Sequence, residues 1–155
     1  MANFIISCLW IAVGITSAET TLLPAGGETT WRYLDGKAIP GEDWTASGFD
    51  DSEWKKGKAP LGYGKDDVET RILFGDDPGN KPLTAYFRAT FQAPPKGENE
   101  FTKLGLMVSY DDGVSVYLNG EEVARGNLEE GPLTPESAAI LSLIHISEPT
   151  RRYSI

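Results

Sequence analysis

Cysteine and histidine are nearly missing from this chain, with one of each in 155 residues, and where they stand excludes more than their scarcity does. Cys8 lies inside an apolar run near the N-terminus, so residues 19–140 hold no thiol and no disulfide can staple them. His145 lies in the final stretch, residues 141–155, which leaves the body of the chain without a candidate for a Ser-His-Asp triad, an imidazole metal ligand or a His general base. Cations are scarce as well. The chain sets 14 Lys and Arg against 23 Asp and Glu, a net charge of −9 that is scattered rather than blocked. Such a surface disfavours phosphate backbones and anionic lipid, so no nucleic-acid partner is expected. No apolar run reaches the roughly 20 residues of a membrane-spanning helix, no segment before Leu141 keeps a helical period, and no repeat recurs. There is no G-x-S-x-G elbow, P-loop or EF-hand pattern, and the glycines of Pro60 to Lys65 do not complete G-x-G-x-x-G. No catalytic residue is assigned.

What the chain does contain is strand and turn chemistry. Tyr110 to Arg125, "YDDGVSVYLNGEEVAR", reads as a turn, a strand, a two-residue reversal and a second strand. Val114, Val116 and Leu118 alternate with Ser115, Tyr117 and Asn119, and Asn119-Gly120 suits a type I′ turn, whose two central residues need φ > 0. "WRYLDG" from Trp31 reads as a first strand closed by a turn at Asp35-Gly36. Lys37 to Gly64 is rich in Gly, Pro, Asp and Lys, with aromatics too irregularly spaced for strand or helix, and reads as a long ordered loop. In it, Trp44 and Trp54 are expected as core plugs rather than sugar platforms, and Asp50-Asp51-Ser52 as an Asx-type turn or a cap. Thr70 to Phe74 reads as a short strand and Thr84 to Phe91, "TAYFRATF", as a strong one. "KLGLMVSY" places Leu104, Leu106, Val108 and Tyr110 on one face, and with its neighbours is expected to pack as a meander or Greek key.

Taken in order, "WRYLDG", "FDDSEW", "APLGYG", "TAYFRATF", "DDGVSVYLNGEEVAR" and "GNLEEGPLT" resemble the galactose-binding-like jelly-roll modules of large secreted bacterial proteins. The strand and hairpin are also similar to the sugar-binding domain of glycoside hydrolase family 2 proteins. The likeness covers about Trp31 to Thr134. It implies an all-β fold, a jelly-roll β-sandwich, truncated here before the last strands that such modules usually carry. It further implies a non-catalytic accessory module, binding carbohydrate or packing against a downstream domain of the same polypeptide. The alternative is the N-terminal region of a secreted hydrolase, of metallophosphoesterase or glycosidase type, whose active site lies downstream.

The two ends are set apart. Phe4 to Ile15 is apolar and is followed by Thr16-Ser17-Ala18, small residues that suit signal peptidase, so residues 1–18 read as a signal peptide and the product as secreted or in the cell envelope, with no membrane contact after cleavage. Residues 19–30 read as a lead-in and 31–140 as the incomplete module. Leu141 to Arg151, "LSLIHISEPTR", is similar codon for codon to the translation of a transposase sequencing adapter, and residues 141–155 are therefore excluded from the fold.

Carboxylates and guanidinium groups supply the candidate site residues. Asp111-Asp112-Gly113 offers adjacent carboxylates on a turn, which suits either a structural Asp-Gly turn or calcium, a cation that takes several oxygens in irregular geometry. The same residues resemble the Asp-Asp turn of protective-antigen-type lectin modules, which implies calcium in contact with sugar. Asp66-Asp67 and Asp76-Asp77 are weaker calcium candidates. Arg88 and Arg125 could grip a carboxylate or phosphate or could be ordinary surface ion pairs. Asp111, Asp112, Asn119 and Arg88 form the candidate ligand-binding set.

Overall fold

The computed structural model describes residues 5–15, 18–24, 27–36, 38–64, 66, 68–73, 77, 79–92, 103–140 and 150–154. Among them the chain is all-β, without a helix, and its strands fall into three sheets. No helix among the described residues is long and apolar enough to cross a membrane.

The first sheet gathers β1 (Ile5–Ile15), β2 (Ala18–Leu23), β5 (Leu61–Gly62), β6 (Thr70–Arg71), β8 (Lys103–Asp111) and β11 (Thr150–Ser154). Its order is β11-β8-β1-β5-β6, with β2 also paired to β1. The apolar run expected as an export signal therefore forms β1 in the uncleaved chain, antiparallel to both β2 and β8. The lead-in, residues 19–30, contributes all of β2 but Ala18. Thr150–Ser154, inside the segment set apart on sequence grounds, pairs with β8 as β11.

The second sheet has the order β4-β3-β7, from β4 (Lys55–Lys58), β3 (Thr30–Leu34) and β7 (Tyr86–Arg88), all antiparallel. Trp31 and Tyr33 on β3 point inward and are 5% and 8% exposed, the period-2 burial that a half-buried strand requires. Strand β4 is absent from the sequence expectation because "KKGK" has no apolar alternation; pairing with β3 and the Thr70 hydroxyl, which accepts from the Lys58 N–H and donates to the Lys58 carbonyl, each at 2.8 Å, position it. Gly57 on β4 leaves room for the Thr70 side chain, where a Cβ would come within 2.5 Å of Thr70 Cγ2.

The third sheet is the hairpin of β9 (Val114–Leu118) and β10 (Glu121–Gly126). Asn119 and Gly120 have φ of 51° and 94°, as the type I′ expectation requires, and Leu118 pairs directly with Glu121. A bulge between Glu122 and Ala124 then shifts the register by one residue.

Strands β7, β8 and β9 were expected to pack in succession, and instead each belongs to a different sheet. The reason lies at the corner after β8. Gly113 is packed so closely that a Cβ would meet Leu128 Cδ2 at 2.9 Å and the Asn127 carbonyl at 3.2 Å, while Asn127 Nδ2 donates to the Asp112 carbonyl at 2.8 Å. The chain thus leaves the first sheet at a turn bolted to residues 127–128. Leu106, Val108 and Tyr110 of β8, each 2% exposed or less, meet Trp31, Leu61, Ile72, Val114 and Ala124 in one core drawn from all three sheets. Burying a large apolar side chain of this kind contributes about 1.5–3 kcal/mol.

Candidate functional site

The site starts from a cross-strand clash of charge. Arg32 on β3 and Arg88 on β7 are register partners, so two guanidinium groups stand side by side on one face of the second sheet. Asp51 neutralises both. Its Oδ2 accepts from Arg88 Nε at 2.9 Å and its Oδ1 lies 3.7 Å from Arg32 Nε. The same arginines hold the loop that carries Asp51. Arg88 also donates to the main-chain carbonyls of Trp44 and Ala46, and Arg32 to those of Ser52 and Trp54. Arg88 further lies over the Phe49 ring at 5.1 Å.

Held in this way, residues 41–54 form a chain of turns, with main-chain bonds from Trp44 to Gly41, Ala46 to Asp43, Phe49 to Ala46 and Trp54 to Asp51. The Asx turn expected at Asp50 is present, since Ser52 N–H donates to Asp50 Oδ1 at 2.9 Å, and that bond lowers the Asp50 pKa below the usual aspartate value. Trp54 is buried as the expected plug. Trp44 is only half-buried and sits at the hub of the ring contacts, 6.5 Å from Trp54, 5.1 Å from Tyr86 and 5.6 Å from Tyr117.

Beside Trp44 opens a cleft of about 710 Å³. Its lining draws on Thr84 to Phe91, including β7, on Gly113 to Asn119, including β9, and on the core residues Trp31, Leu61 and Val108. Residues 128–137 also line it, through Leu128, Leu133, Thr134, Pro135 and Ser137. They are tied down by Arg125, which donates to the Glu129 and Gly131 carbonyls, and by Thr84 Oγ1, which donates to the Pro135 carbonyl at 2.8 Å. Glu122 in turn accepts from Arg125 Nε at 2.5 Å and Nη2 at 2.6 Å, and from Ser115 Oγ at 2.9 Å. Those bonds, the Arg125 bond foremost, lower the Glu122 pKa and raise that of Arg125. Burial raises the Tyr86 hydroxyl pKa, and the charge of nearby Glu136 adds to the shift. Among the described residues lining the cleft, Glu42 is the one carboxylate and Arg88 the one cation.

Of the candidate ligand set, Arg88 and Asn119 line the cleft while Asp111 and Asp112 lie outside it. Arg88 commits its donors to the 44–51 loop, and Asn119 is an exposed turn residue. Arg125 serves as a strut between hairpin and loop. Asp112 is 1% exposed. No group of three or more Asp, Glu, His or Cys side chains among the described residues is placed to hold a metal ion. Asp77 turns its carboxylate to the Gly79 N–H at 2.8 Å, as an Asx turn does. Asp66 is exposed, and Asp67 and Asp76 lie outside the described residues.

The convergence of Trp44, Tyr86 and Tyr117 was not read from the sequence, because it joins three segments with no fixed spacing. The one local sign is a Trp placed among small residues between Gly41 and Gly48. No protein-family model, no curated protein and no solved structure matches the chain.

Proposed function

We propose that this chain is a non-catalytic accessory module of an exported protein, a galactose-binding-like jelly roll whose cleft packs against neighbouring polypeptide. The observation that carries this is the make-up of the cleft: among the described residues its lining joins core side chains to the aromatics Trp44, Tyr86 and Tyr117, and its one cation is already paired with Asp51. Exposed or half-buried apolar lining, such as Ile39, Trp44 and Tyr86, is what a protein partner covers. In this reading Phe4 to Ile15 directs export, and the neighbour belongs to the same polypeptide.

Glycan binding is the second reading, favoured by Trp44, Tyr86 and Tyr117 standing near Thr84, Ser115 and Asn119 in one cleft. It is the weaker of the two, since Trp54 stacks on Trp44 and both tyrosines meet it edge to face, so the rings are largely occupied by one another. The test is titration calorimetry of the full chain against the purified domain encoded beside it, alongside a broad glycan panel. Saturable domain binding with a negative heat-capacity change supports packing. Saturable glycan binding that disappears in Trp44→Ala, with no domain binding, overturns it.

A further inference from the structure

Three places in the chain set a side-chain carbonyl beside the main-chain nitrogen of a glycine: Asp35-Gly36, Asp112-Gly113 and Asn119-Gly120. Glycine has no Cβ to shield that nitrogen, so the nitrogen can close onto the preceding side chain wherever the pair has solvent and room. The fold separates the three by access. The Asp35 side chain is 3% exposed, and its carboxylate accepts from Lys55 Nζ at 2.7 Å and from the Leu73 N–H at 2.6 Å. Asp112 is 1% exposed, and Gly113 is packed against Leu128 and the Asn127 carbonyl. Asn119 is exposed at the hairpin tip, and a Cβ built on Gly120 meets nothing within 4 Å. The Gly120 N–H also stands outside the ladder, because Leu118 pairs directly with Glu121.

We infer that Asn119 is a modification site of the native chain, at which the side-chain amide converts without an enzyme to aspartate and isoaspartate through a cyclic imide. The Gly120 nitrogen gives its proton to a solvent base and bonds to Asn119 Cγ; the Cγ–Nδ2 bond breaks, and Nδ2 leaves as ammonia. Water then adds to one of the two ring carbonyls. Opening at Cγ leaves aspartate, and opening at the Asn119 main-chain carbonyl carbon leaves isoaspartate. One water is consumed and one ammonia released, with no oxidation or reduction. Either product adds a carboxylate to a cleft lining in which Glu42 is the one carboxylate among the described residues. Isoaspartate also routes the main chain through Cβ, and a two-residue turn with φ of 51° and 94° has no place for the extra carbon, so β9 and β10 part from the tip. The other described asparagines lack this combination. Asn127 donates through Nδ2 to the Asp112 carbonyl at 2.8 Å and precedes Leu128, and Asn80 is exposed but precedes Lys81, whose side chain crowds the attacking nitrogen. The site is independent of the packing function proposed above.

The full chain is held at mildly alkaline pH, native in one series and in molar urea in another, and samples are peptide-mapped by mass spectrometry with fragmentation that separates isoaspartate from aspartate. The expected result is a gain of about one mass unit at Asn119 in the native chain. It should form at least about tenfold faster than at Asn80 or Asn127, with isoaspartate in excess over aspartate. In the isoaspartate fraction, amide exchange across 114–118 and 121–126 should quicken by about tenfold or more. Asn119 left intact in the native chain while it converts in urea overturns the assignment, because the turn then shields the amide. Equal conversion at Asn80 or Asn127 overturns it, and so does aspartate without isoaspartate, the mark of direct hydrolysis. Unchanged exchange in the isoaspartate fraction overturns the parting of the hairpin.

Discussion

Replacing Asp51 by Asn tests whether one carboxylate holds the 41–54 loop against the second sheet. The change keeps the shape and removes the charge that Arg32 and Arg88 share. Asp51 is 24% exposed at its side chain, with Arg88 at 14% and Arg32 at 29%, so the cluster is neither fully solvated nor buried. A hydrogen bond to a charged group contributes about 1.5–3 kcal/mol when shielded, whereas an exposed pair contributes less than about 1 kcal/mol. Loss of the carboxylate also leaves two guanidinium groups opposite each other across β3 and β7, a like-charge pair worth up to about 1 kcal/mol of destabilisation. The expected cost is therefore about 2 kcal/mol, a fall in Tm on the order of 4–8 °C for a chain of this size. Urea unfolding of wild type, Asp51→Asn, Arg88→Met and the double variant measures it. The double-mutant cycle should return a coupling above about 1 kcal/mol, and the coupling should shrink in molar salt. A cost under about 0.5 kcal/mol, or additive single variants, would refute the clamp.

Four further outcomes are expected. Gly126→Ala puts a Cβ 2.6 Å from Cζ of Tyr110, a ring that is 2% exposed and cannot step aside; it should cost about 1–3 kcal/mol, partly recovered by Tyr110→Phe, and a melting curve superposing on wild type would contradict this. Gly120→Ala meets no atom within 4 Å, so its cost of about 1–2 kcal/mol comes from φ of 94° alone and should appear as faster amide exchange in β9 and β10; unchanged exchange there would count against a strained turn. Glu122 has a lowered pKa in the folded chain, so its contribution is fully present above the ordinary glutamate value of 4.5 and is lost as pH falls through the folded value. Glu122→Gln should therefore be less stable than wild type near neutrality and converge with it in acid, and a difference that persists at low pH would rule out the charge as its source. Expression in a secreting bacterium should give a product whose intact mass begins at Glu19, and a product retaining Met1 would refute export through Phe4 to Ile15.

Much of the local structure was legible because it is written in single residues or short periods. Asn119-Gly120 encodes its turn by tolerance of positive φ, and Leu106, Val108 and Tyr110 encode a buried face by alternation. Trp31 and Tyr33 do the same on β3. Thr84 to Phe91 alternates just as well, yet only Tyr86–Arg88 is strand, because β3 meets it at three positions and no strand among the described residues meets its other side. Alternation records a face to be buried and says nothing of how much edge a neighbour offers. The lysine strand β4 was illegible for the converse reason, having a partner and no alternation. Arg88 was visible as a charge on a strand, but its role depends on Asp51, 37 residues away, and on carbonyls of a loop without a regular period. Chain separation of that kind leaves no local mark, and the aromatic hub around Trp44 stayed hidden for the same reason.

The two borders of the second sheet differ in kind. Strand β4 carries Lys55, Lys56 and Lys58 along one border, and such crowding of like charge discourages docking by another strand. Among the described residues β7 carries one charge, Arg88, against the three of β4. Like charge along one border alone makes the two edges of the sheet unequal in their tolerance of a neighbouring strand.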